Sequence, residues 1–247
     1  GSRGPRVEDA FDSLRNRFDV RPGGTSLILG AGGAMGRIHV HRALELENGP
    51  ATVIATSRKG ARLDALRRDF APLAAHHGRT LLVVDDAELG ALLPRVAPLG
   101  VDEAVVVAPN VAAIERAATF LAPGGMLVLF AGVAAGERCR LPLSRIVTDG
   151  LRITGSTGCT VEDQLWVLDR VVKGALDPTE NLEAVAGFDA VPDALQAVTE
   201  GRLAGKIAIY PNVLGLPLTP ISELKPAQEE SGGRWTLEDE RTIANRA

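Results

Sequence analysis

Cysteine and excess positive charge are both scarce in this 247-residue chain. The two cysteines, Cys139 and Cys159, have no CxxC motif and no paired histidines near them, so they offer neither a disulfide framework nor a structural zinc site. The formal net charge is -4 at pH 7, which leaves no general basic field to hold a nucleic-acid backbone or an anionic membrane. We therefore expect no nucleic-acid partner and no membrane partner.

Long apolar runs are absent as well. The longest, such as residues 126–133, are far shorter than the ~20 residues that a membrane helix needs. No charged segment followed by an apolar one opens the chain as a secretory signal would. Because hydrophobic residues make up 45% of the sequence and charged residues 23%, we expect a globular protein. From the lack of a membrane helix and of a signal segment in the sequence we expect it to be cytoplasmic.

The sequence is rich in one pattern, an alternation of short apolar runs with segments of helical periodicity. Short apolar runs are typical of strands buried on both faces. Their alternation with helices predicts the α/β class, a doubly wound parallel sheet with right-handed crossovers and a C-terminal extension. The predicted strands span residues 25–30, 51–56, 80–84, 102–108, 125–130 and 151–155, and the predicted helices span residues 35–47, 62–73, 88–96, 111–121 and 162–173.

A glycine-rich turn, GAGGAMG, follows the first predicted strand and opens the first predicted helix. Such a turn needs residues free to take positive φ, open space where a pyrophosphate approaches, and unpaired helix N–H groups facing the anion. The glycines can meet these needs in either of two registers. The alternative to a phosphate-binding turn is an ordinary glycine-rich turn that binds no ligand. This context predicts a Rossmann dinucleotide-binding fold, with Gly30, Gly32, Gly33, Ala34, Met35 and Gly36 as candidate cofactor-binding residues.

The end of the second predicted strand lacks an acidic residue. In enzymes that bind NAD, a carboxylate at this position accepts hydrogen bonds from the adenosine ribose. Here the strand ends in Thr56, Ser57, Arg58 and Lys59, which offer two cations to a 2'-phosphate and nothing to repel it. The pattern favours NADP over NAD, unless Arg58 and Lys59 are solvated loop charges.

Four segments follow from these patterns. A lead-in helix and linker occupies residues 1–24, and the dinucleotide-binding domain occupies residues 25–160. Residues 161–211 follow a changed pattern, with strands predicted at 185–188 and 206–210 and a helix at 192–199. Residues 212–247 are rich in proline, glycine and charge, so we expect a surface tail with a short helix from Leu237, capped by Thr236 and Asp239.

Catalytic residues cannot be named from the sequence. His39 and His41 lie on the helix after the glycine turn, where either could act as an acid or base. We interpret His39 as a packing residue and His41 as a surface residue. No nucleophile, catalytic triad or metal-ligand spacing accompanies them, and we expect no bound zinc.

The run AVVVAPNVAAIERAATFLAPGGMLVLFAG, residues 104–132, resembles the fourth strand, helix and fifth strand of the medium-chain dehydrogenase/reductase superfamily. The similarity covers roughly residues 7–211. Within the superfamily, GAMGRIHVHRAL (33–44), GSTG (155–158) and PLTPISEL (217–224) with Trp235 are similar to the sorbose-1-phosphate reductase branch. That branch commonly has an aspartate where Ser57 stands, a departure that again favours NADP.

The resemblance implies roles for the candidate residues. Gly33 and Gly36 are implied to hold the pyrophosphate, and Ser57 and Arg58 to meet the adenosine ribose. Side-by-side pairing of the edge strand from Leu151 to Gly155 is implied to form a homodimer. Ala108, Pro109 and Asn110 are implied to lie along the nicotinamide ribose, and backbone groups of Phe130, Ala131, Gly132, Gly155 and Ser156 to face the nicotinamide ring and its carboxamide.

One departure from the superfamily concerns its barrel-like catalytic domain, which normally comes first and supplies the zinc ligands. Only 24 residues precede Thr25 here, whereas residues 161–211 resemble the segment that returns to that domain. The chain is therefore expected to be either a natural variant without the barrel or a chain truncated at its front.

Two functional hypotheses remain open. The first is an NADP(H)-dependent oxidoreductase, or its cofactor half, acting on a small polar alcohol or carbonyl such as a sugar or cyclitol phosphate, with a partner subunit over the nicotinamide face. The second is a non-catalytic cofactor-binding or interaction subunit.

Overall fold

The structure is a computed structural model that describes residues 23–58, 60–155, 158–174, 176–203, 205–225 and 235–245. The predicted lead-in helix and two candidate residues, Lys59 and Ser156, lie outside these described residues. The chain divides into two compact units, Gly1–Asp169 and Arg170–Ala247.

The first unit is built on a six-stranded parallel sheet with the strand order β3-β2-β1-β4-β5-β6. This arrangement confirms the predicted doubly wound α/β class, because every pair of neighbouring strands is parallel and helices connect them. The strands are β1 Thr25–Leu29, β2 Thr52–Ser57, β3 Thr80–Asp85, β4 Val101–Val106, β5 Leu121–Leu129 and β6 Arg152–Gly155, and the helices are α1 Ala34–Glu45, α2 Gly60–His76, α3 Leu89–Val96, α4 Val111–Thr119 and α5 Leu143–Thr148. Helix α6, Val161–Val172, begins in the first unit and ends in the second.

Two apolar cores lie on opposite faces of this sheet. Successive side chains of a strand point to opposite faces, so Leu27 and Leu29 join one core while Ile28 joins the other. Helices α3 and α4 supply Leu93 and Ile114 to the first core, and α1 and α2 supply residues to the second. Burial on both faces explains why the strands are continuous apolar runs rather than alternating ones.

The strand order reverses between β1 and β4, and this reversal positions the candidate site. The chain leaves β1 towards α1 on one face of the sheet and leaves β4 towards α4 on the other. The two connections therefore diverge at the carboxyl ends of the strands and leave a crevice between them, where ligands of open α/β sheets bind.

The boundary between α4 and β5 differs from the prediction. Helix α4 ends at Thr119 and β5 already begins at Leu121, whereas the sequence pattern predicted helix to 121 and strand from 125. The register of β5 on β4 shifts between the pairs Val101↔Leu121 and Glu103↔Met126, so the extra residues form an irregularity that contains Gly124 at φ 75°. The predicted turn is thus part of the strand.

The second unit contains a three-stranded sheet with the order β8-β7-β9. Strand β8 runs parallel to β7, and β9 runs antiparallel to it. The strands are β7 Leu182–Gly187, β8 Lys206–Tyr210 and β9 Thr219–Pro220; the helices are α7 Val191–Thr199, α8 Ile221–Leu224 and α9 Leu237–Ala244, with short 3-10 helices at Pro178–Asn181 and Phe188–Ala190.

Most described residues of the predicted surface tail are exposed or half-buried, but five of them anchor the tail to the core of this second unit. Val213, Leu216, Ile221, Trp235 and Ile243 are buried in one cluster with residues of β7 and β8. The sequence did not predict these anchors because the apolar residues are too widely spaced to form a periodic pattern. The terminal helix is confirmed, and its capping box between residues 236 and 239 is present in α9. None of the helices in the described ranges combines the length and the hydrophobicity needed to cross a membrane.

Candidate functional site

A cleft of about 750 Å³ opens at the carboxyl ends of the strands of the first unit. Its volume falls within the range of roughly 300 to 1,000 Å³ that is usual for small-molecule sites. It lies in the crevice where the strand order reverses. The lining comes from the glycine turn, the ends of β2 and β3, and the segment from β4 into α4: Leu29, Gly30, Gly32, Gly33, Ala34, Met35, Gly36, Thr56, Ser57, Arg58, Arg62, Asp86, Val107, Ala108, Pro109, Asn110, Ala112, Ala113 and Arg116.

The glycine turn begins with a residue that must be glycine. Gly30 has φ +87°, and a Cβ there would lie 3.0 Å from the backbone nitrogen of Ala108. The next residue, Ala31, donates its N–H to the carbonyl of Thr56 at 2.8 Å. These contacts hold the turn between the ends of β4 and β2.

Three further glycines in the turn meet different surroundings. A Cβ on Gly36 would overlap the carbonyl oxygen of Gly30, so this position lets α1 pack closely against the end of β1. A Cβ on Gly32 would lie 2.6 Å from Ser57 Oγ. Gly33 has nothing within 4 Å of its Cβ position and lines the cleft. The turn is therefore packed at residues 32 and 36 and open towards the cleft at residue 33.

The first turn of α1 faces this open position. Gly33 is the N-cap residue of α1 and contributes no side-chain cap, and the first turn contains no acidic residue. The backbone N–H groups at the start of a helix have no partners within the helix and carry a positive partial charge. Together with the missing side chain at Gly33, they form a cradle suited to a phosphate group.

Cations line the cleft beside the end of β2. Ser57, the last residue of β2, is buried and brings no charge. Arg58 is exposed and lines the cleft, and it has no ion-pair partner within the described ranges of the chain. Arg62 of α2 also lines the cleft. This part of the cleft is suited to anionic groups.

An ion pair closes the cleft beyond the end of β3. Arg116 Nη2 lies 2.5 Å from Asp86 Oδ1, and Thr56 Oγ1 donates to the same oxygen at 3.3 Å. Arg116 belongs to α4, whereas Asp86 follows β3, so the pair joins two walls of the cleft. Sequence reasoning missed Arg62, Asp86 and Arg116, because only the folded sheet brings these three elements together.

The chain is similar in sequence to two bacterial oxidoreductases and to one uncharacterized protein. No protein-family model matches the chain. It is 33% identical over 217 residues to L-sorbose 1-phosphate reductase of Klebsiella pneumoniae, over 86% of this chain and 51% of that protein. It is 26% identical to mannitol-1-phosphate 5-dehydrogenase of Aliivibrio fischeri, over 87% of this chain and 52% of that protein, and 26% identical to the uncharacterized protein YggP of Escherichia coli K12, over 92% and 58%. The chain spans about half the length of the curated relatives it matches.

Solved structures agree with the sheet topology. A zinc-binding-domain alcohol dehydrogenase of Burkholderia ambifaria matches with a TM-score of 0.65 and 19% identity, over 85% of this chain and 53% of its own. A zinc-binding dehydrogenase of Sinorhizobium meliloti 1021 bound to NADP matches with a TM-score of 0.59 and 22% identity, over 86% and 56%. The first unit has the Rossmann fold of the medium-chain dehydrogenase/reductases. A third Rossmann structure, an alcohol dehydrogenase of Escherichia coli CFT073 complexed with NADH, matches with a TM-score of 0.65 and 18% identity, over 81% and 56%.

The Rossmann unit brings most of the candidate residues into one cleft. The six candidate residues of the glycine turn line it, and so do Ser57, Arg58, Ala108, Pro109 and Asn110. The residues expected at the nicotinamide ring, Phe130, Ala131, Gly132 and Gly155, are not part of its lining.

The backbone N–H groups of two of these residues are already paired within the sheet. The N–H groups of Phe130 and Ala131 both donate to the carbonyl of Val106, at 3.1 and 3.0 Å, so neither is available as a donor to a ligand. Their carbonyl oxygens would remain as acceptors.

The two histidines of α1 pack against aromatic rings of the Rossmann unit. His39 is buried with its ring centroid 4.8 Å from that of Phe130, which confirms the predicted packing role. The predicted surface position of His41 is wrong, because this side chain is half-buried, 3.9 Å from the carboxylate of Glu45 and 6.3 Å from the Phe70 ring centroid. Neither histidine lines the cleft.

The described residues of the two units contain no cluster of metal-binding side chains. Within these residues, no three His, Cys, Asp or Glu side chains cluster as a metal site would require. The described lining of the cleft also contains no histidine, cysteine or tyrosine. The charged side chains in this lining are three arginines and one aspartate.

Proposed function

We propose that this chain is the NADP(H)-binding part of an oxidoreductase that acts on a small polar alcohol or carbonyl. The observation that carries the proposal is the cleft itself, where an open phosphate cradle at Gly33 adjoins a cationic rim without a carboxylate at the end of β2. When bound, a nicotinamide cofactor supplies or accepts the hydride, and the protein orients it.

The cleft residues fit such a cofactor from the phosphates outwards. Gly33 and the first N–H groups of α1 would hold the pyrophosphate, because a Cβ at residue 33 would occupy the space that a phosphate needs. Ala108, Pro109 and Asn110 would border the other half of the molecule on the β4 side.

Charge supports NADP(H) over NAD(H). Three guanidinium groups, those of Arg58, Arg62 and Arg116, and one carboxylate, that of Asp86, are the charged side chains in the described lining. Because Asp86 forms an ion pair with Arg116, Arg58 remains as an exposed cation beside Ser57, without an ion-pair partner among the described residues, and Arg62 lines the same part of the cleft. A 2'-phosphate would find cations there, whereas the ribose hydroxyls of NAD would miss the usual carboxylate acceptor.

The substrate class is proposed from the relatives. Two of them are named for reactions of phosphorylated hexose derivatives, mannitol 1-phosphate and L-sorbose 1-phosphate. We therefore propose a sugar-phosphate or cyclitol-phosphate substrate. Because the described lining lacks a histidine, cysteine or tyrosine to transfer a proton, we propose that such a group comes from a surface over the nicotinamide face, such as a partner subunit.

Titration of the purified chain with NADPH and NADH tests the proposal. We expect NADPH to bind more tightly and Arg58→Ala to remove most of the difference, because one charge-assisted pair is worth roughly 1.5 to 3 kcal/mol, or about one to two decades in affinity. Arg68→Ala, on the exposed face of α2 outside the cleft, is the matched control. Equal affinities or a preference for NADH would contradict the proposal.

A non-catalytic cofactor-binding subunit is the second candidate. The observation that favours it is the absence of a histidine, cysteine or tyrosine from the described cleft lining. Consumption of NADPH with a panel of sugar phosphates, cyclitols and aldehydes separates the two functions. Turnover by the chain supports the oxidoreductase, and cofactor binding without turnover on any of them supports the subunit.

A further inference from the structure

We infer that Asp86 selects the base of the bound dinucleotide by accepting a hydrogen bond from the 6-amino group of adenine. The inference rests on the proposed function, since it takes the cleft to be a dinucleotide site. It adds a specificity-determining residue at the end of the cleft farthest from the nicotinamide side.

The sheet order places Asp86 where the base must lie. The phosphate cradle at Gly33 follows β1, the cationic rim at Arg58 follows β2, and Asp86 follows β3, the next strand in the order β3-β2-β1. The backbone N–H of Asp86 donates to the carbonyl of Ser57 at 3.2 Å, so the two positions are direct neighbours. A nucleotide with its phosphate at β1 and its ribose at β2 brings its base to Asp86.

The carboxylate is held in place with one oxygen left to accept. Arg116 Nη2 at 2.5 Å and Thr56 Oγ1 at 3.3 Å both approach Oδ1 of Asp86. Its other oxygen, Oδ2, has no donor among the described residues, and a quarter of the side chain (25%) is exposed in the cleft. A carboxylate oxygen accepts hydrogen bonds, and Oδ2 is therefore the oxygen that can accept one from a ligand in the cleft.

The wall of the cleft formed by the start of α4 carries small side chains. Ala112 and Ala113, at the start of α4, line the cleft with the smallest side chains that carry a Cβ. Adenine would present its 6-amino donor to Asp86, whereas a 6-oxo purine would present an oxygen that the carboxylate repels. This difference both favours adenine and rejects the 6-oxo bases, which is the usual way in which a polar site becomes selective.

Calorimetric titration with NADP+ and with its hypoxanthine analogue tests the inference, since the two differ only at the base. We expect the unmodified chain to bind NADP+ about 10 to 100 times more tightly, as for other hydrogen bonds to charged groups. Asp86→Asn should bring the ratio close to one, because an amide can turn and donate to the 6-oxo group. Asp85→Asn is the control, since Asp85 accepts from the Ala87 N–H and does not line the cleft.

Each outcome decides a different point. A wild-type ratio near one overturns the inference while leaving the dinucleotide site intact, and so does an unchanged ratio in Asp86→Asn. If neither dinucleotide binds to the unmodified chain, the proposed function fails and the inference fails with it. A thermal melt of each variant shows whether it is folded, and the wild-type ratio decides the inference even if Asp86→Asn does not fold.

Discussion

Gly32 and Ser57 lie so close together that position 32 has no room for a side chain. A Cβ added to Gly32 would be 2.6 Å from Ser57 Oγ and 2.9 Å from Arg62 Cβ. The glycine turn, the end of β2 and the start of α2 are thus packed as one piece. Gly32 acts through this packing, whereas its neighbour Gly33 faces open space.

Gly32→Ala is therefore expected to destabilise the fold. An extra methyl group in a packed site costs roughly 1 to 3 kcal/mol of the free energy of unfolding, because its neighbours must move. Urea denaturation followed by circular dichroism measures the change. An unfolding free energy equal to that of the unmodified chain would contradict the packing described for the turn.

Gly33→Ala is expected to weaken cofactor binding without changing the stability of the fold. Its backbone, at φ -95° and ψ 168°, is compatible with alanine, and nothing lies within 4 Å of the new Cβ, so the unfolding free energy should not change. NADPH affinity should fall at least about tenfold, or ~1.4 kcal/mol, because the methyl group enters the phosphate cradle. Gly90→Ala in α3, also with nothing within 4 Å and outside the cleft, should alter neither cofactor binding nor the fold. Unchanged NADPH binding by Gly33→Ala would remove Gly33 from the site.

Ser57→Asp is expected to reverse the cofactor preference. The new carboxylate would repel a 2'-phosphate and accept hydrogen bonds from the ribose hydroxyls of NADH, so NADPH should bind about tenfold more weakly or worse and NADH more tightly. Ser57→Asn, similar in size and uncharged, controls for the limited space at this buried position. Parallel titrations with both cofactors give the result, and a similar loss in both variants would mean that size rather than charge decides.

Much of the sheet could be predicted from the sequence. Each of its six strands lies in a short apolar run, with β1, β2 and β4 almost wholly buried, and such runs stand out against the intervening helical periodicity. The start of β5 could not be predicted, because Ala122, Pro123 and Gly124 read locally as a turn, whereas pairing with β4 extends the strand through them. Tertiary pairing overrides local preference at such places.

The candidate site was predictable only where one short segment carries it. The glycine turn and residues 57–58 could be identified because the strand, turn and helix context is visible in the sequence. Asp86 and Arg116 lie 30 residues apart on different elements, and no local pattern links a carboxylate after β3 to a guanidinium on α4. Their meeting depends on the strand order, which the sequence pattern leaves open.

A homodimer through β6 is a further prediction. This strand is at the edge of the described six-stranded sheet, and Ile153 in it is partly exposed. Pairing with a second copy would extend the sheet along this edge and cover this side chain. Light scattering at micromolar concentration should give a mass twice that of the monomer. Ile153→Lys should lower the measured mass, because it would place two like charges at the two-fold contact. Leu99→Lys, on an exposed residue outside the sheet, is the control, and a monomeric unmodified chain would contradict the dimer.

A hydrogen-bond cluster in the second unit makes its stability sensitive to alkaline pH. The hydroxyl of Tyr210 and the indole N–H of Trp235 both donate to Oε2 of Glu240, the latter at 3.0 Å. Burial raises the pKa of Tyr210, and the hydrogen bond to Glu240 and its negative charge raise it further. Since the neutral phenol is the form favoured in the folded state, its contribution to stability is full below pH about 10 and is lost as the pH rises above that value.

Tyr210 is the single tyrosine of the chain, so tyrosinate absorbance at the ultraviolet wavelength of the ionised phenol reports on this residue alone. We expect no ionisation near pH 10, the ordinary value for tyrosine, and a rise in absorbance only at higher pH, together with the loss of the circular-dichroism signal. Glu240→Gln should lower the midpoint, because the amide keeps an acceptor but removes the negative charge, while burial still holds the pKa above its ordinary value. Tyr210→Phe should remove this part of the alkaline loss of stability. If tyrosinate forms near pH 10 while the fold remains intact, Tyr210 is not held by Glu240 in solution.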